Sequence, residues 1–92
     1  MSIMVTGGTG TIGSNIARML VEQGRGVVVY DVAPPPPKNV LNDVLDHLKI
    51  EIGNVTDLPR ILDVIKTHKV EGIIHCVALV AAPSKLRLVE AL

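Results

Sequence analysis

The chain has 92 residues, nine basic and nine acidic side chains and no formal net charge, and 48% of its residues are hydrophobic. This length suits one small domain, and the apolar fraction is too high for a disordered chain. A balanced charge and a single aromatic residue argue against nucleic-acid binding, and no apolar run is long enough to span a membrane. One cysteine and an N-terminus without a basic, signal-like region predict a cytoplasmic protein.

Four short runs with branched apolar residues predict strands. They are residues 2–6, 27–30, 49–52 and 72–80, the last run including the exit of its strand. Helical patterns lie between these runs, so that strand and helix alternate along the chain. The alternation predicts an α/β fold with a parallel sheet, right-handed crossovers and helices on both faces.

Amphipathic segments predict the helices. The first follows a glycine-rich turn at residues 7–13 and ends near Gly24, which suits a left-handed cap; the second covers residues 39–48. The third begins at residues 56–59 with a capping side chain and a proline, and a fourth begins after Ser84. The predicted apolar faces are Ile12, Ile16, Met19 and Leu20 in the first helix, and Leu58, Ile61, Leu62 and Ile65 in the third.

Four consecutive prolines, residues 34–37, follow the second strand. Neither a helix nor an inner strand tolerates such a run, so it predicts a stiff surface connection. Binding of a proline-recognising partner domain is the less favoured alternative.

The turn after the first strand contains the pattern G-x-G-x-x-G, formed by Gly8, Gly10 and Gly13. Alone the pattern is weak, but here it follows a strand, opens a helix and precedes Asp31 at the end of the second strand. Without a side chain, Gly10 would let a pyrophosphate approach the helix N-terminus, and Gly13 would let the helix pack close to the strands. Asp31 would accept hydrogen bonds from the adenosine ribose, so the pattern predicts a dinucleotide site.

Asp31 further predicts that the dinucleotide is NAD rather than NADP. Its carboxylate would repel a 2′-phosphate, and neither Val32 nor Ala33 offers a compensating positive charge. The nearest later basic residue is Lys38, beyond the prolines.

Two other interpretations of the glycine turn remain open. The glycines could form a tight turn without a ligand. They could also belong to a nucleoside-triphosphate loop, which is disfavoured because Ser14 and Asn15 stand where that loop requires lysine and then serine or threonine.

Four segments together resemble the extended short-chain dehydrogenase/reductase family, and within it the NAD-dependent epimerases and dehydratases of sugar nucleotides. They are V-T-G-G-T-G-T-I-G at residues 5–13, V-V-Y-D at 28–31, G-N-V-T-D at 53–57 and V-E-G-I-I-H-C-V-A at 70–78. The resemblance implies a Rossmann-type sheet, here a partial one of about four strands in the order 3-2-1-4.

The resemblance also implies a role for each matching residue. Asp31 would bind the adenine ribose, Asn54 the adenine amino group and Val55 the ring through its backbone. The pyrophosphate loop would consist of Gly7, Gly10, Thr11, Ile12 and Gly13, and the wall towards the nicotinamide ribose of Cys76, Val77 and Ala78. Two of these depart from the family pattern, because Asn54 replaces an aspartate and Val77 a small alanine.

In the family that the sequence resembles, catalysis uses a tyrosine and a lysine four residues later. The only tyrosine here is Tyr30, and Pro34 stands four residues after it. The sequence therefore predicts that residues 1–92 form an NAD-binding half-domain without the catalytic and substrate-binding portions. No residue is assigned as catalytic.

The sequence thus predicts the NAD-binding N-terminal portion of an epimerase or dehydratase acting on a sugar nucleotide or a similar hydroxyl substrate. The alternatives are a non-catalytic nucleotide-sensing module and a truncated, non-functional fragment. No metal site is expected, and His75 is predicted to be a buried strand-end histidine with a backbone partner. An uncovered sheet edge after the fourth strand would suit a second copy of the chain or a partner chain.

Overall fold

A computed structural model describes residues 2–76 of the chain. Its strands are β1 (Ser2–Thr6), β2 (Gly26–Asp31), β3 (Lys49–Ile52) and β4 (Val70–His75). All neighbouring strands are parallel, and their order is β3-β2-β1-β4. The α/β class and the strand order predicted from the sequence are confirmed. The predicted helix after Ser84 lies outside the described residues.

Two α-helices cover opposite faces of this sheet. They are α1 (Thr11–Glu22), which joins β1 to β2, and α2 (Leu58–His68), which joins β3 to β4. Successive residues of a strand point to opposite faces, so Val5 and Val29 pack on the α1 side while Met4 and Val28 pack on the α2 side. The central strand β1 is therefore buried from both directions.

Helix α1 meets the sheet through its smallest side chains. Its buried residues are Gly13, Ser14 and Ala17, with Ile16, Leu20 and Val21 partly buried beside them. Ile12 and Met19 are 67% and 55% exposed, so the prediction that they belong to the buried face is wrong. Small residues let the helix approach the sheet, and the larger apolar ones flank the contact. Gly24 follows the helix with a φ of 81°, as its predicted left-handed cap requires.

Helix α2 begins as predicted, but only part of its predicted apolar face is buried. The Asp57 carboxylate accepts a hydrogen bond from the N–H of Arg60 at 3.2 Å, and a proline stands in the first turn. Leu58 and Leu62 are 61% and 48% exposed, which contradicts their assignment to the apolar face. The residues that face the sheet are Val64, which is buried, and Ile61 and Ile65, which are partly buried.

Residues 39–48 form turns and a short 3-10 helix (Leu45–His47) instead of the predicted α-helix. The Val44 N–H donates to Leu41, three residues back, at 3.0 Å. The α-helical acceptor for that N–H would be the Val40 carbonyl, which instead accepts a hydrogen bond from the Arg18 guanidinium at 2.7 Å. The apolar residues of this segment still contribute to the core, since Leu41, Val44 and Leu48 are buried on the α1 side.

His75 is exposed at the end of β4, so its predicted burial is wrong. Its Nδ1 atom lies 2.6 Å from the hydroxyl oxygen of Thr6. The parallel register pairs these two residues across β1 and β4, which explains why the partner is a side chain and not a backbone group.

Glu51 connects the outer strand β3 to helix α2. One carboxylate oxygen accepts a hydrogen bond from Arg60 at 2.7 Å, and His68 Nε2 lies 2.6 Å from the other. The hydrogen bond with His68 and then that with Arg60 lower the pKa of Glu51 below its ordinary value of 4.5. The ionised carboxylate therefore stabilises the docking of α2 onto the sheet.

We expect Glu51→Gln to remove a pH-dependent part of the free energy of unfolding. Because the folded-state pKa is lowered, this part is fully present above the ordinary value of 4.5 and is lost as the pH falls through the lowered pKa. Urea unfolding at about pH 6 and about pH 3.5 measures it. Asp63→Asn is the control, because this carboxylate lies 3.8 Å from the same Arg60 but is far more exposed. Equal pH dependence in Glu51→Gln and the unmutated chain would contradict the assignment.

Candidate functional site

A cavity of about 510 Å³ opens where the carboxyl ends of all four strands meet the start of α1. Gly7 follows β1, Asp31 ends β2, Gly53 follows β3 and Cys76 follows β4. Among residues 2–76, the lining consists of Gly7, Gly10, Thr11, Ile12, Gly13, Asp31, Val32, Gly53, Val55 and Cys76. Open parallel sheets bind their ligands at this edge, and the volume lies in the range of small-molecule sites.

The glycine turn brings the start of α1 against the end of β1. Gly7 has a φ of 67°, a backbone conformation that favours glycine, and its carbonyl accepts from the Gly10 N–H at 3.2 Å. A Cβ atom on Gly13 would lie 2.2 Å from the same carbonyl oxygen. The closest neighbour of Gly13 is therefore the turn that directly follows β1, and this contact lets the start of α1 approach the end of that strand. The glycine that fits against a strand is Gly8, whose added Cβ would lie 2.6 Å from a Val29 methyl group.

The first turn of α1 presents unused backbone donors. Its first helical hydrogen bond runs from the Ser14 N–H to the Gly10 carbonyl at 2.8 Å, so the N–H groups of Thr11, Ile12 and Gly13 have no helical acceptor. Gly10 occupies the N-cap without a side chain, and the first turn has no acidic residue. The helix dipole adds a partial positive charge to these donors. This end of the cavity can bind an anion of the size of a phosphate.

Asp31 supplies the only charge among the described residues that line the cavity. Its Oδ2 atom accepts two hydrogen bonds from Thr9, from the backbone N–H at 3.0 Å and from the hydroxyl at 2.7 Å. Its Oδ1 atom accepts one from the Val32 N–H at 2.7 Å. The carboxylate is thus held in one orientation at the end of β2, where it can accept a hydrogen bond from a sugar hydroxyl.

The turn after β3 forms another wall of the cavity. The buried Tyr30 hydroxyl donates to the Asn54 carbonyl at 2.8 Å, and burial raises the pKa of Tyr30. The Asn54 side-chain oxygen accepts from the N–H and the hydroxyl of Thr56, at 2.9 and 2.8 Å. Gly53 and Val55 line the cavity, whereas Asn54 does not. The adenine contact of Asn54 stays a prediction.

Cys76 forms the wall beyond β4. Its N–H donates to the Thr6 carbonyl at 2.9 Å, and its side chain packs beside the core on the α1 side. Burial raises the pKa of the Cys76 thiol, which favours the protonated, unreactive form. Val77 and Ala78, which the sequence also assigns to this wall, lie outside the described residues.

Most of the residues assigned from the sequence therefore meet at one place. The cavity lining contains Gly7, Gly10, Thr11, Ile12, Gly13, Asp31, Val55 and Cys76. Sequence reasoning missed Val32, Gly53 and the Thr9 contact to Asp31. Gly53 could have been found from its position directly after β3, since strand ends of a parallel sheet share one edge. The Thr9 contact gives no sequence signal beyond its place inside the glycine motif.

Residues 2–76 contain no cluster of three or more His, Cys, Asp or Glu residues that could hold a metal ion. Over the same range, neither helix has the length and apolar character that crossing a membrane demands.

Comparison with known proteins gives a consistent family. Residues 3–86 match the model of the NAD-dependent epimerase/dehydratase family. UDP-glucose 4-epimerase of Halalkalibacterium halodurans is 35% identical over 78 residues, which cover 85% of this chain and 22% of the relative.

Two solved structures have similar folds. The Bordetella bronchiseptica enzyme WbmG in complex with NAD superposes with a TM-score of 0.74 at 29% identity, over 95% of this chain and 28% of that one. L-threonine dehydrogenase of Clostridium difficile also reaches 0.74, at 28% identity, over 98% and 28% of the two chains. The chain thus spans about a quarter of these relatives.

We expect Gly13→Ala to destabilise the chain by about 1–3 kcal/mol, because the new methyl group would overlap the Gly7 carbonyl. Helix propensity alone would favour alanine, so a loss of stability isolates this contact. The matched control is Gly10→Ala, whose Cβ would lie 3.5 Å from the Gly7 carbonyl oxygen; we expect a cost below about 1 kcal/mol there. Denaturant unfolding compares the two variants, and equal losses would contradict the geometry.

Proposed function

The chain belongs to the NAD-dependent epimerase/dehydratase family, and we propose that its cavity binds NAD across the carboxyl ends of the four strands. One observation carries this proposal: the uncapped donors of α1 and the oriented Asp31 carboxylate line the same cavity. These are the two groups that a dinucleotide requires, one for its pyrophosphate and one for its adenosine ribose.

The pyrophosphate would lie against the first turn of α1. The N–H groups of Thr11, Ile12 and Gly13 are directed by the helix geometry and have no helical acceptors. Gly10 has a φ of −78° and would accept a side chain without backbone strain. A bare Gly10 is therefore best explained by the close approach of a ligand to the backbone. Within the same molecule, α2 differs, since Asp57 already accepts a hydrogen bond at its N-terminus.

NAD would be preferred to NADP because the described lining of the cavity has no positive charge to balance a 2′-phosphate. Asp31 is the one charged residue among the described lining residues, and its side chain is a carboxylate. Val32, the neighbouring lining residue, is an exposed apolar side chain. A second phosphate beside the carboxylate would therefore meet repulsion without compensation.

The adenine and nicotinamide ends would lie at the other two strand ends. We assign the adenine to the wall of Gly53 and Val55. Asn54 would become the polar partner of its amino group only by exchanging one of the two hydrogen bonds that its side-chain oxygen accepts from Thr56. The nicotinamide ribose would lie beside Cys76 and the following Val77 and Ala78. Bound NAD would accept a hydride from a carbon that carries a hydroxyl group.

The substrate class follows from the relatives. The Halalkalibacterium relative is a UDP-glucose 4-epimerase, so we propose a sugar nucleotide or a similar hydroxyl substrate for the protein to which residues 1–92 contribute the cofactor-binding half-domain. These residues do not contain the family's tyrosine-lysine pair. Their single tyrosine, Tyr30, is buried and donates to a backbone carbonyl, so it cannot act as a proton donor to a substrate in the cavity. Cofactor binding is therefore the activity assigned to this chain itself.

A nucleotide-sensing module is the second candidate. It is favoured because the cavity at the strand ends offers the groups that a dinucleotide requires, whereas the single tyrosine, Tyr30, cannot catalyse. The two candidates differ in the further protein segments that they require. An epimerase requires a catalytic tyrosine and a substrate-binding domain, whereas a sensor requires neither. We place either protein in the cytoplasm, where the single unpaired cysteine stays reduced.

We expect Gly10→Ala to lower NAD affinity at least about tenfold, or ~1.4 kcal/mol, because its methyl group would stand where the pyrophosphate approaches the backbone. Titration calorimetry of the full chain measures the effect. Lys66→Ala, on the exposed side of α2, is the control and should bind as the unmutated chain does. Absence of NAD binding by the unmutated chain at millimolar concentration would overturn the proposed function.

Asp31→Ala should weaken NAD binding by roughly five- to tenfold and narrow the difference between NAD and NADP, because both the ribose acceptor and the repelling charge are lost. Parallel titrations with the two dinucleotides give the ratio. The exposed Asp46, on the 3-10 helix, provides the control through Asp46→Ala. Equal affinity of the unmutated chain for NAD and NADP would contradict the role of Asp31.

A further inference from the structure

We propose that Thr9 is the positioning residue for Asp31, and that its hydroxyl decides which carboxylate oxygen is offered to the adenosine ribose. The inference rests on the proposed binding of NAD. It adds a residue that lies outside the cavity lining and would act on the cofactor through Asp31.

The proposal follows from the number of acceptor sites on the Asp31 carboxylate. An ionised carboxylate offers about four lone-pair sites, two on each oxygen. Thr9 uses both sites of Oδ2, through its N–H at 3.0 Å and its hydroxyl at 2.7 Å. The Val32 N–H uses one site of Oδ1 at 2.7 Å. One acceptor site is left, on Oδ1, and it is the one available to a ribose hydroxyl.

Two of these three donors are backbone groups and would survive any substitution. The N–H groups of Thr9 and Val32 contact different oxygens and so fix the plane of the carboxylate, but by themselves they leave one acceptor site free on each oxygen. The Thr9 hydroxyl fills the remaining site of Oδ2, so that the free site lies on Oδ1. The backbone of Thr9 is itself fixed on the other side, where the Asn39 amide donates to its carbonyl at 3.3 Å.

Orientation of Asp31 affects affinity because a fixed acceptor loses no rotational freedom when the ligand binds. Removing the hydroxyl would leave the carboxylate in place, but with one fewer hydrogen bond to hold it and with a free site on each oxygen. The loss should therefore appear in NAD affinity and should require the Asp31 carboxylate.

The test is a double-mutant cycle on NAD affinity with Thr9→Val and Asp31→Ala. Valine has nearly the shape of threonine, lacks the hydroxyl and keeps the backbone N–H. We expect Thr9→Val to weaken NAD binding about fivefold in the unmutated background, the value of one hydrogen bond, and to have no effect in the Asp31→Ala background. Thr9→Ser, which keeps the hydroxyl, should restore the unmutated affinity.

Thermal unfolding of each variant without ligand provides a second readout, so that misfolding is separated from loss of positioning. NAD binding that is unchanged by Thr9→Val, or weakened equally in both backgrounds, would overturn the role of Thr9 and leave the proposed function intact. Failure of the unmutated chain to bind NAD would overturn the proposed function and this inference with it. Loss of affinity in Thr9→Ser equal to that in Thr9→Val would show that shape, not the hydroxyl, matters.

Discussion

The close approach of Gly13 to the Gly7 carbonyl is the constraint on which the arrangement of the cavity depends. A Cβ atom at Gly13 would lie 2.2 Å from that oxygen, so the first turn of α1 can rest on the end of β1 only when this side chain is missing. The contact places the free N–H groups of α1 at the edge where the four strands end. It also sets the height of the helix above the sheet, and the small residues Ser14 and Ala17 continue the close packing towards β2. One missing methyl group thus connects the fold to the anion-binding end of the cavity.

The sequence predicts the strands well because burial on both faces leaves a simple pattern of branched apolar residues, and the family resemblance supplies their order. It predicts only half of each helical face, since Ile16, Leu20, Ile61 and Ile65 pack against the core. Ile12, Met19, Leu58 and Leu62 follow helical spacing, yet all four are largely exposed. Hydropathy treats a large apolar residue as the centre of a buried face, whereas a helix that approaches a sheet closely does so through glycine, serine and alanine. The distance between helix and sheet decides which helix residues are buried, and this distance depends on tertiary packing.

The segment before β3 shows a different limit of sequence reasoning. Residues 39–48 have the apolar spacing of a helix, and Leu41, Val44 and Leu48 are buried as that spacing suggests. The backbone nevertheless forms turns, because Arg18 on α1 binds the Val40 carbonyl and the Asp43 carboxylate. An arginine 22 residues away along the chain competes with the local helical hydrogen bonds. Apolar spacing predicted which residues are buried here, but not the hydrogen-bonding pattern of the backbone between them.

Asp31 is the residue in which the fold and the candidate site cannot be separated. Its backbone carbonyl accepts from the Gly53 N–H at 2.9 Å, which joins the end of β2 to the turn after β3, and its carboxylate joins β2 to the glycine turn through Thr9. The neighbouring Tyr30 reinforces the first connection through its hydrogen bond to the Asn54 carbonyl. Three strand ends are therefore held at fixed spacing by groups that belong to one short segment. An acidic residue at this position was recognisable from the sequence as a ribose acceptor. Its second role was not, because hydrogen bonds between strand ends depend on the register of the sheet.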